Sequence, residues 1–216
     1  MTQNSLIPAF FFRLNSVLGV ALCALLLSFS SLARADRIEM QKVDARFVEG
    51  YYQVSASFGI HFTSVVEQAL EQGVPLYFVS DFTLTRPRWY WTDEVVAQTT
   101  QTIKLSYNTL TRQYRITRGA LFQNFSSLDE ALRIIGYQPA EPVPANLLGG
   151  NRGYISEKLF GKDDSDYIAA VRLYLDVSQL PKPLQVNALT NDDWHMDSDW
   201  YRWIVSAGTV KRGRGE

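Results

Sequence analysis

Apolar and polar residues alternate through much of the chain beyond residue 37. Tyr52, Val54, Ala56, Phe58, Ile60 and Phe62 are apolar, with Gln53, Ser55, Ser57, Gly59 and His61 between them. A spacing of two puts the apolar set on one face of a strand. Ile38 and Met40 alternate in one phase, and Val43, Ala45 and Phe47 in the other. That slip predicts a β-bulge near Gln41-Lys42, and Glu49-Gly50 predicts a tight hairpin turn. Val74, Leu76, Phe78, Phe82 and Leu84 make a third strand, with Tyr77, Val79, Asp81 and Thr83 opposite. Ile103, Leu105 and Tyr107 pair with Tyr114 and Ile116 across a turn at 108–112. Tyr167, Ala169, Val171, Leu173, Leu175 and Val177 form another strand, with Arg172, Tyr174 and Asp176 opposite. Leu184, Val186 and Ala188 predict a short strand after Pro181 and Pro183, and residues 200–205 a last one, apolar on both faces.

Two helices interrupt the strands. Ser64-Val65-Val66-Glu67 reads as a capping box with Gly73 as the stop, and Ser127-Leu128-Asp129-Glu130 as a second with Gly136 as its stop. Residues 156–161 add one possible turn of helix. Residues 139–166 are rich in Pro, Gly and acid, and read as a surface insertion at about 139–166. The expected fold is mainly β (α+β): an antiparallel β-sandwich-like domain with two short helices. A single curved sheet gripping the helices is the alternative.

The first 35 residues change the compartment. Arg13 is the sole charge before residue 34, an apolar run covers 17–29, and Ala33-Arg34-Ala35 is an A-x-A site. This is the pattern of a secretory signal peptide cleaved after Ala35, since the run is shorter than the roughly 20 residues of a membrane span. The expected organisation is a signal peptide at 1–35, one β-rich domain at 36–206 and a tail at 207–216. The expected location is outside the cytoplasm, in an oxidising compartment, with membrane contact only through an uncleaved leader. Cleavage removes Arg13 and Arg34 and leaves 19 basic against 22 acidic residues, a net −3. It also removes Cys23, the single Cys, so the mature chain has no thiol nucleophile and no disulfide. The near-neutral balance argues against a nucleic-acid partner.

Several strings then point to a family: residues 73–78 (GVPLYF), 86–91 (RPRWYW), 105–107 (LSY), 110–114 (LTRQY), 175–185 (LDVSQLPKPLQ) and 198–200 (SDW). In that order and spacing they resemble the bacterial exported proteins of domain-of-unknown-function family 4390, over about residues 38–203. The resemblance implies export in proteobacteria, and so the periplasm of a Gram-negative envelope, and a β-rich domain. It brings no activity, cofactor or catalytic residue. It also implies a gene setting beside a membrane sensor kinase, and hence another envelope protein, such as a sensor kinase periplasmic domain, as partner.

The candidate chemistry is thin. Arg86, Arg88, Trp89 and Trp91 put guanidinium groups and large rings within six residues, a combination that grips carboxylates, phosphates or a partner strand. The plainer alternative is a strand end whose rings close the core while the Arg stems lie across them. Residues 191–200 collect Asp192, Asp193, His195, Asp197 and Asp199. They lack the Gly and closing Glu of a Ca²⁺ loop and the ligand spacing of a zinc site, so they read as a solvated turn with N-cap acids. The two His, His61 and His195, have no G-x-S-x-G elbow to serve, and no Gly-rich phosphate loop follows a strand. No catalytic residue, metal ligand or cofactor is expected, and the sequence leans away from an enzyme. The expected function is a non-catalytic periplasmic protein-interaction module, in the setting of envelope signalling that the resemblance implies. The alternative is a carrier or chaperone for an anionic lipid or glycan, with an envelope hydrolase least favoured.

Overall fold

A computed structural model describes residues 37–88, 92–140, 142–144 and 166–206. The leader, the tail, Trp89, Tyr90, Trp91, the proposed turn at 156–161 and most of the 139–166 insertion lie outside the described residues. Two antiparallel sheets form an open sandwich. The smaller holds β1 (Ile38–Val48), β2 (Tyr51–Ile60), β7 (Tyr137–Pro139) and β8 (Val143–Pro144). The larger has six strands in the order β10-β9-β3-β4-β5-β6, comprising β3 (Leu76–Arg86), β4 (Glu94–Asn108), β5 (Gln113–Arg118), β6 (Leu121–Phe125), β9 (Tyr167–Leu175) and β10 (Tyr201–Val205). The helices are α1 (Ser64–Glu71), α2 (Leu128–Gly136) and α3 (Lys182–Ala188). No described helix is long and apolar enough to cross a membrane.

The alternating positions fill the space between the sheets. Ala56, Phe58 and Ile60 of β2 meet Phe78 of β3, Leu105 of β4, Leu173 of β9 and the apolar faces of α1 and α2. Tyr52 and Val54 meet Phe82, Leu84, Tyr167 and Ala169 towards the other end. The β1 register shifts between Met40 and Lys42, where the phase slip placed the bulge. Glu49 and Gly50 both carry positive φ, as a two-residue turn of mirror-image type requires. Asn108 Oδ1 accepts hydrogen bonds from the backbone N–H groups of Leu110 and Thr111 and shapes the β4–β5 turn.

Five expectations need correction. Residues 182–188 are helix α3, not a strand. Pro183 sits in its first turn, where the fixed φ suits a helix, and Leu184 and Ala188 face inward one turn apart while Val186 is exposed. The described residues thus hold three short helices rather than two. Thr63, not Ser64, caps α1: its Oγ1 accepts from the Val66 N–H at 3.3 Å. Ser127 occupies the N-cap of α2 but makes no side-chain capping bond. Gly136 is the last residue of α2 rather than a left-handed stop, and a Cβ there would run into the carbonyl oxygen of Phe58. Its value is therefore close approach of helix to strand. Residues 191–200 are not simply a solvated turn: Asn191 caps a 3-10 turn at Asp192–Trp194, yet Trp194 (1% exposed) and Met196 (2%) are core residues.

Candidate functional site

Arg86 falls on the inward phase of β3, in line with Phe82 and Leu84, so an inward Arg needs partners. It has them. Nη1 donates to Glu94 Oε2 at 3.1 Å, Nη2 donates to Tyr167 Oη at 2.9 Å, and the guanidinium lies 5.1 Å from the centre of the Tyr167 ring. Arg88 reaches the same Glu94 oxygen at 2.6 Å and is about one-third exposed. One carboxylate therefore serves both guanidinium groups. Trp89 and Trp91 lie outside the described residues. Arg86 acts as a clip joining β3, β4 and β9, and Arg88 is the more accessible of the two cations.

The remaining candidates are distributed rather than convergent. His61 lies just past β2, 3.6 Å from Glu39, and His195 lies 3.5 Å from Asp192; both rings are mostly exposed. Asp193 pairs with Arg37 at 3.1 Å, and the Arg37 Nη1 also donates to the Asp192 carbonyl, so these acids tie the 3-10 turn to the start of β1. On the outer face of the large sheet, Arg172 meets Asp81 at 3.0 Å and Asp197 at 3.8 Å, beneath the rings of Tyr174 and Trp200. Burial pushes the Asp197 carboxyl above its usual range, and the Asp199 N–H and Arg172 only partly offset that. No group of three or more metal-ligating side chains converges among the described residues.

The feature that stands out was not legible as a site in the sequence. β6 is one of the two edge strands of the six-stranded sheet, and among the described residues no strand pairs with its outer side. Arg118 and Leu121 pair across a two-residue turn, with Gly119 at positive φ in its first central position. All five residues of the strand, LFQNF, are uncharged and none is Pro; Leu121 is 77% exposed and Phe122 62%. A groove of about 380 Å³ runs beside it, lined by Ile116, Arg118, Leu121, Phe122, Gln123 and Ile134. Arg118 forms its floor, donating to the carbonyls of Ile134 at 2.8 Å and Tyr137 at 3.2 Å, where α2 ends. Burial pulls this guanidinium below its ordinary range, while the carbonyls at the helix C-terminus favour its charge.

The other edge strands differ from β6 in charge, bulge, proline or length, although β10 is as short as β6 and also exposes an apolar side chain, Ile204. β1 carries Lys42, Asp44 and Arg46 as well as its bulge, β7 and β8 are two or three residues long and each ends in Pro, and β10 carries Arg202. Charge, bulges, prolines and shortness are the means by which sheet edges avoid pairing with other chains. β6 is short and has no charged residue of its own, while Arg115 of β5 lies 5.0 Å from the centre of the Phe122 ring and donates to Asn124 Oδ1 at 2.9 Å. Residues 35–204 match a family described as "Domain of unknown function (DUF4390)". Neither the curated proteins nor the solved structures hold a match to the chain.

Proposed function

The chain belongs to the DUF4390 family, a domain of unknown function, and we propose that it is a non-catalytic interaction module of the cell envelope that binds a protein partner along the β6 edge. The observation that carries this reading is an edge strand with no charged residue and with Leu121 and Phe122 largely exposed, beside a groove lined by Ile116, Ile134 and Arg118. Such an edge offers alternate backbone N–H and C=O groups to an extended segment, and the groove offers a place for that segment's apolar side chains. The complementary partner is an extended, uncharged stretch with apolar residues at every second position. The leader pattern of residues 1–35 supports placing the encounter in the periplasm, and the partner expected from the family resemblance is the exported part of a membrane sensor.

The test is capture from envelope extracts with three baits: the parent protein, Phe122→Lys and Arg88→Ala. The proposal expects Phe122→Lys to lose at least tenfold in the partner that the parent retains, and Arg88→Ala to retain it. Equal recovery by Phe122→Lys, or loss confined to Arg88→Ala, would move the contact away from β6 and overturn the reading.

A further inference from the structure

We infer that the outer face of the large sheet, over β4, β5 and β6, binds an acidic glycan, a sugar chain bearing carboxylate or phosphate groups, with Lys104 and Arg115 as the cations that hold it. The inference goes beyond the reading of β6 as an interaction edge, because it concerns the face of the sheet and not the edge.

The charge of the chain is segregated. No Asp or Glu occurs between Glu94 and Asp129, while Lys104, Arg112, Arg115 and Arg118 all fall within that stretch. The stretch holds the whole of β5 and β6 and all of β4 except its first residue. The remainder of residues 36–216 holds 15 basic against 22 acidic residues. Three adjacent strands are therefore cationic in a chain that is otherwise acidic, and a surface field of one sign draws in ligands of the other. None of the four cations pairs with a carboxylate among the described residues. Arg118 is turned to the carbonyls at the end of α2, and Arg112 is exposed in the β4–β5 turn. Asp81 of β3 shares the outer face, but Arg172 and Thr100 already hold it.

The register sets the two remaining cations side by side. Buried Ile103, Leu105 and Ile116 fix the inward phase, so Lys104, Arg115 and Thr117 face outward. Lys104 is opposite Thr117, and Arg115 is the next outward residue along β5, so the two cations are diagonal neighbours roughly 7–8 Å apart. Each head is laid against a ring: Lys104 Nζ is 5.8 Å from the centre of Tyr77, and the Arg115 guanidinium 5.0 Å from that of Phe122. Arg115 Nε also donates to Asn124 Oδ1 at 2.9 Å. That bond orients the guanidinium and leaves its two terminal nitrogens without a partner among the described residues, a fork that fits a carboxylate or phosphate. The residues surrounding the pair favour a sugar chain over a lipid surface. They are Thr102, Ser106, Thr117 and Asn124, whose hydroxyl and amide groups both donate and accept, as sugar hydroxyls require. Phe122, 62% exposed, adds one apolar ring, whereas a lipid surface calls for several apolar side chains projecting together.

The experiment measures binding of the full chain to polygalacturonate, a carboxylated polysaccharide, with uncharged dextran and phosphatidylglycerol vesicles as comparisons. The double variant Lys104→Gln with Arg115→Gln removes both cations from the face. Lys42→Gln with Arg46→Gln removes the same charge from the exposed strand β1. The parent should bind polygalacturonate and not dextran, and should weaken as salt rises from about 0.1 to 1 M, where screening shortens from about 10 to about 3 Å. The face variant should lose at least tenfold in affinity, and the β1 variant should keep the parent value. Vesicle binding, to which the apolar leader contributes, should be equal in parent and face variant. Thermal melting shows whether the face variant is folded; if it is not, Arg115→Lys, which keeps the charge and loses the fork, is read in its place and should still weaken binding. No binding of polygalacturonate, equal binding of dextran, equal loss in the β1 variant, or a face variant that loses vesicles but keeps polygalacturonate would each overturn the inference.

Discussion

Strands β3 and β6 belong to one sheet, with only β4 and β5 between them, and they treat their side chains in opposite ways. In β3 every second residue from Leu76 to Arg86 is buried. Its polar groups are also answered: Arg86 by Glu94 and Tyr167, and Asp81 by Arg172 and Thr100. In β6, Leu121 and Phe122 are mostly exposed, and no described strand pairs with the outer side of the backbone ladder. An apolar residue thus has two meanings in this sheet. In the middle it holds the fold together, and at the unguarded edge it is available to something else. Position in the sheet, rather than side-chain type, decides which.

The contrast is most exposed to failure in the interior, where effects are largest. Trp194→Ala empties a site that is 1% exposed and should cost about 3–5 kcal/mol, read from denaturant melting. A loss below about 1 kcal/mol would mean that the 191–196 strap is not part of the core. Glu94→Ala removes the carboxylate shared by Arg86 and Arg88 while leaving Tyr167 in place. It should cost on the order of 1–2 kcal/mol, less than a fully buried pair because Glu94 is about one-third exposed, as chemical denaturation at low and high salt can check.

Two acids near the C-terminal end of β9 sharpen the picture through opposite responses to pH. Burial raises the Asp176 carboxyl, but hydrogen bonds from the Ser178 hydroxyl, the Gln179 amide and the Ser178 N–H together hold it below its ordinary value. Its stabilising contribution is therefore present above the unfolded carboxyl pKa and is lost as pH falls through the lower, folded one. Asp176→Asn should be less stable than the parent at neutral pH, with the gap closing in acid. For Asp197 burial dominates and the folded pKa is raised, so the ionised form opposes folding and that penalty disappears as pH falls through the folded value. Asp197→Asn should match or exceed the parent at neutral pH, with any advantage shrinking in acid. Melting curves between pH 3 and 8, a window spanning the ordinary carboxyl range, check both. The same sign for the two variants would contradict the assignment.

The smallest effect on stability belongs to the edge. Leu121→Lys should change the free energy of unfolding by no more than about 0.5 kcal/mol, because its side chain is 77% exposed and no core contact is lost. A destabilisation above about 2 kcal/mol would show that β6 is held against the body of the protein and is not on offer.

Much of the fold was legible because alternation and turn chemistry agreed. The β1 bulge, the Glu49-Gly50 turn and the β4–β5 hairpin all follow from local rules. Helix α3 did not, and the reason is arithmetical. Leu184 and Ala188 are four apart, a spacing that satisfies both two-residue and one-turn periodicity, and the exposed Val186 between them completed a false strand. The first half of β4 was hidden by Thr and Gln on both faces, since it runs past the most apolar part of the core. The Arg86 cluster left a readable trace, an Arg in the inward phase after Phe82 and Leu84, but its partners Glu94 and Tyr167 are distant in sequence. The β6 edge left almost none. LFQNF does not alternate, and being an edge is a property of the whole topology.

Amide hydrogen exchange resolved at single residues tests the central claim most directly. With the dilute protein compared against its captured complex, the account predicts that the Phe122 and Asn124 amides pass from fast to slow exchange while residues 42–46 on the β1 edge stay as they were. Protection that leaves β6 unchanged and appears instead around Arg86 and Arg88, or at β1, would contradict it.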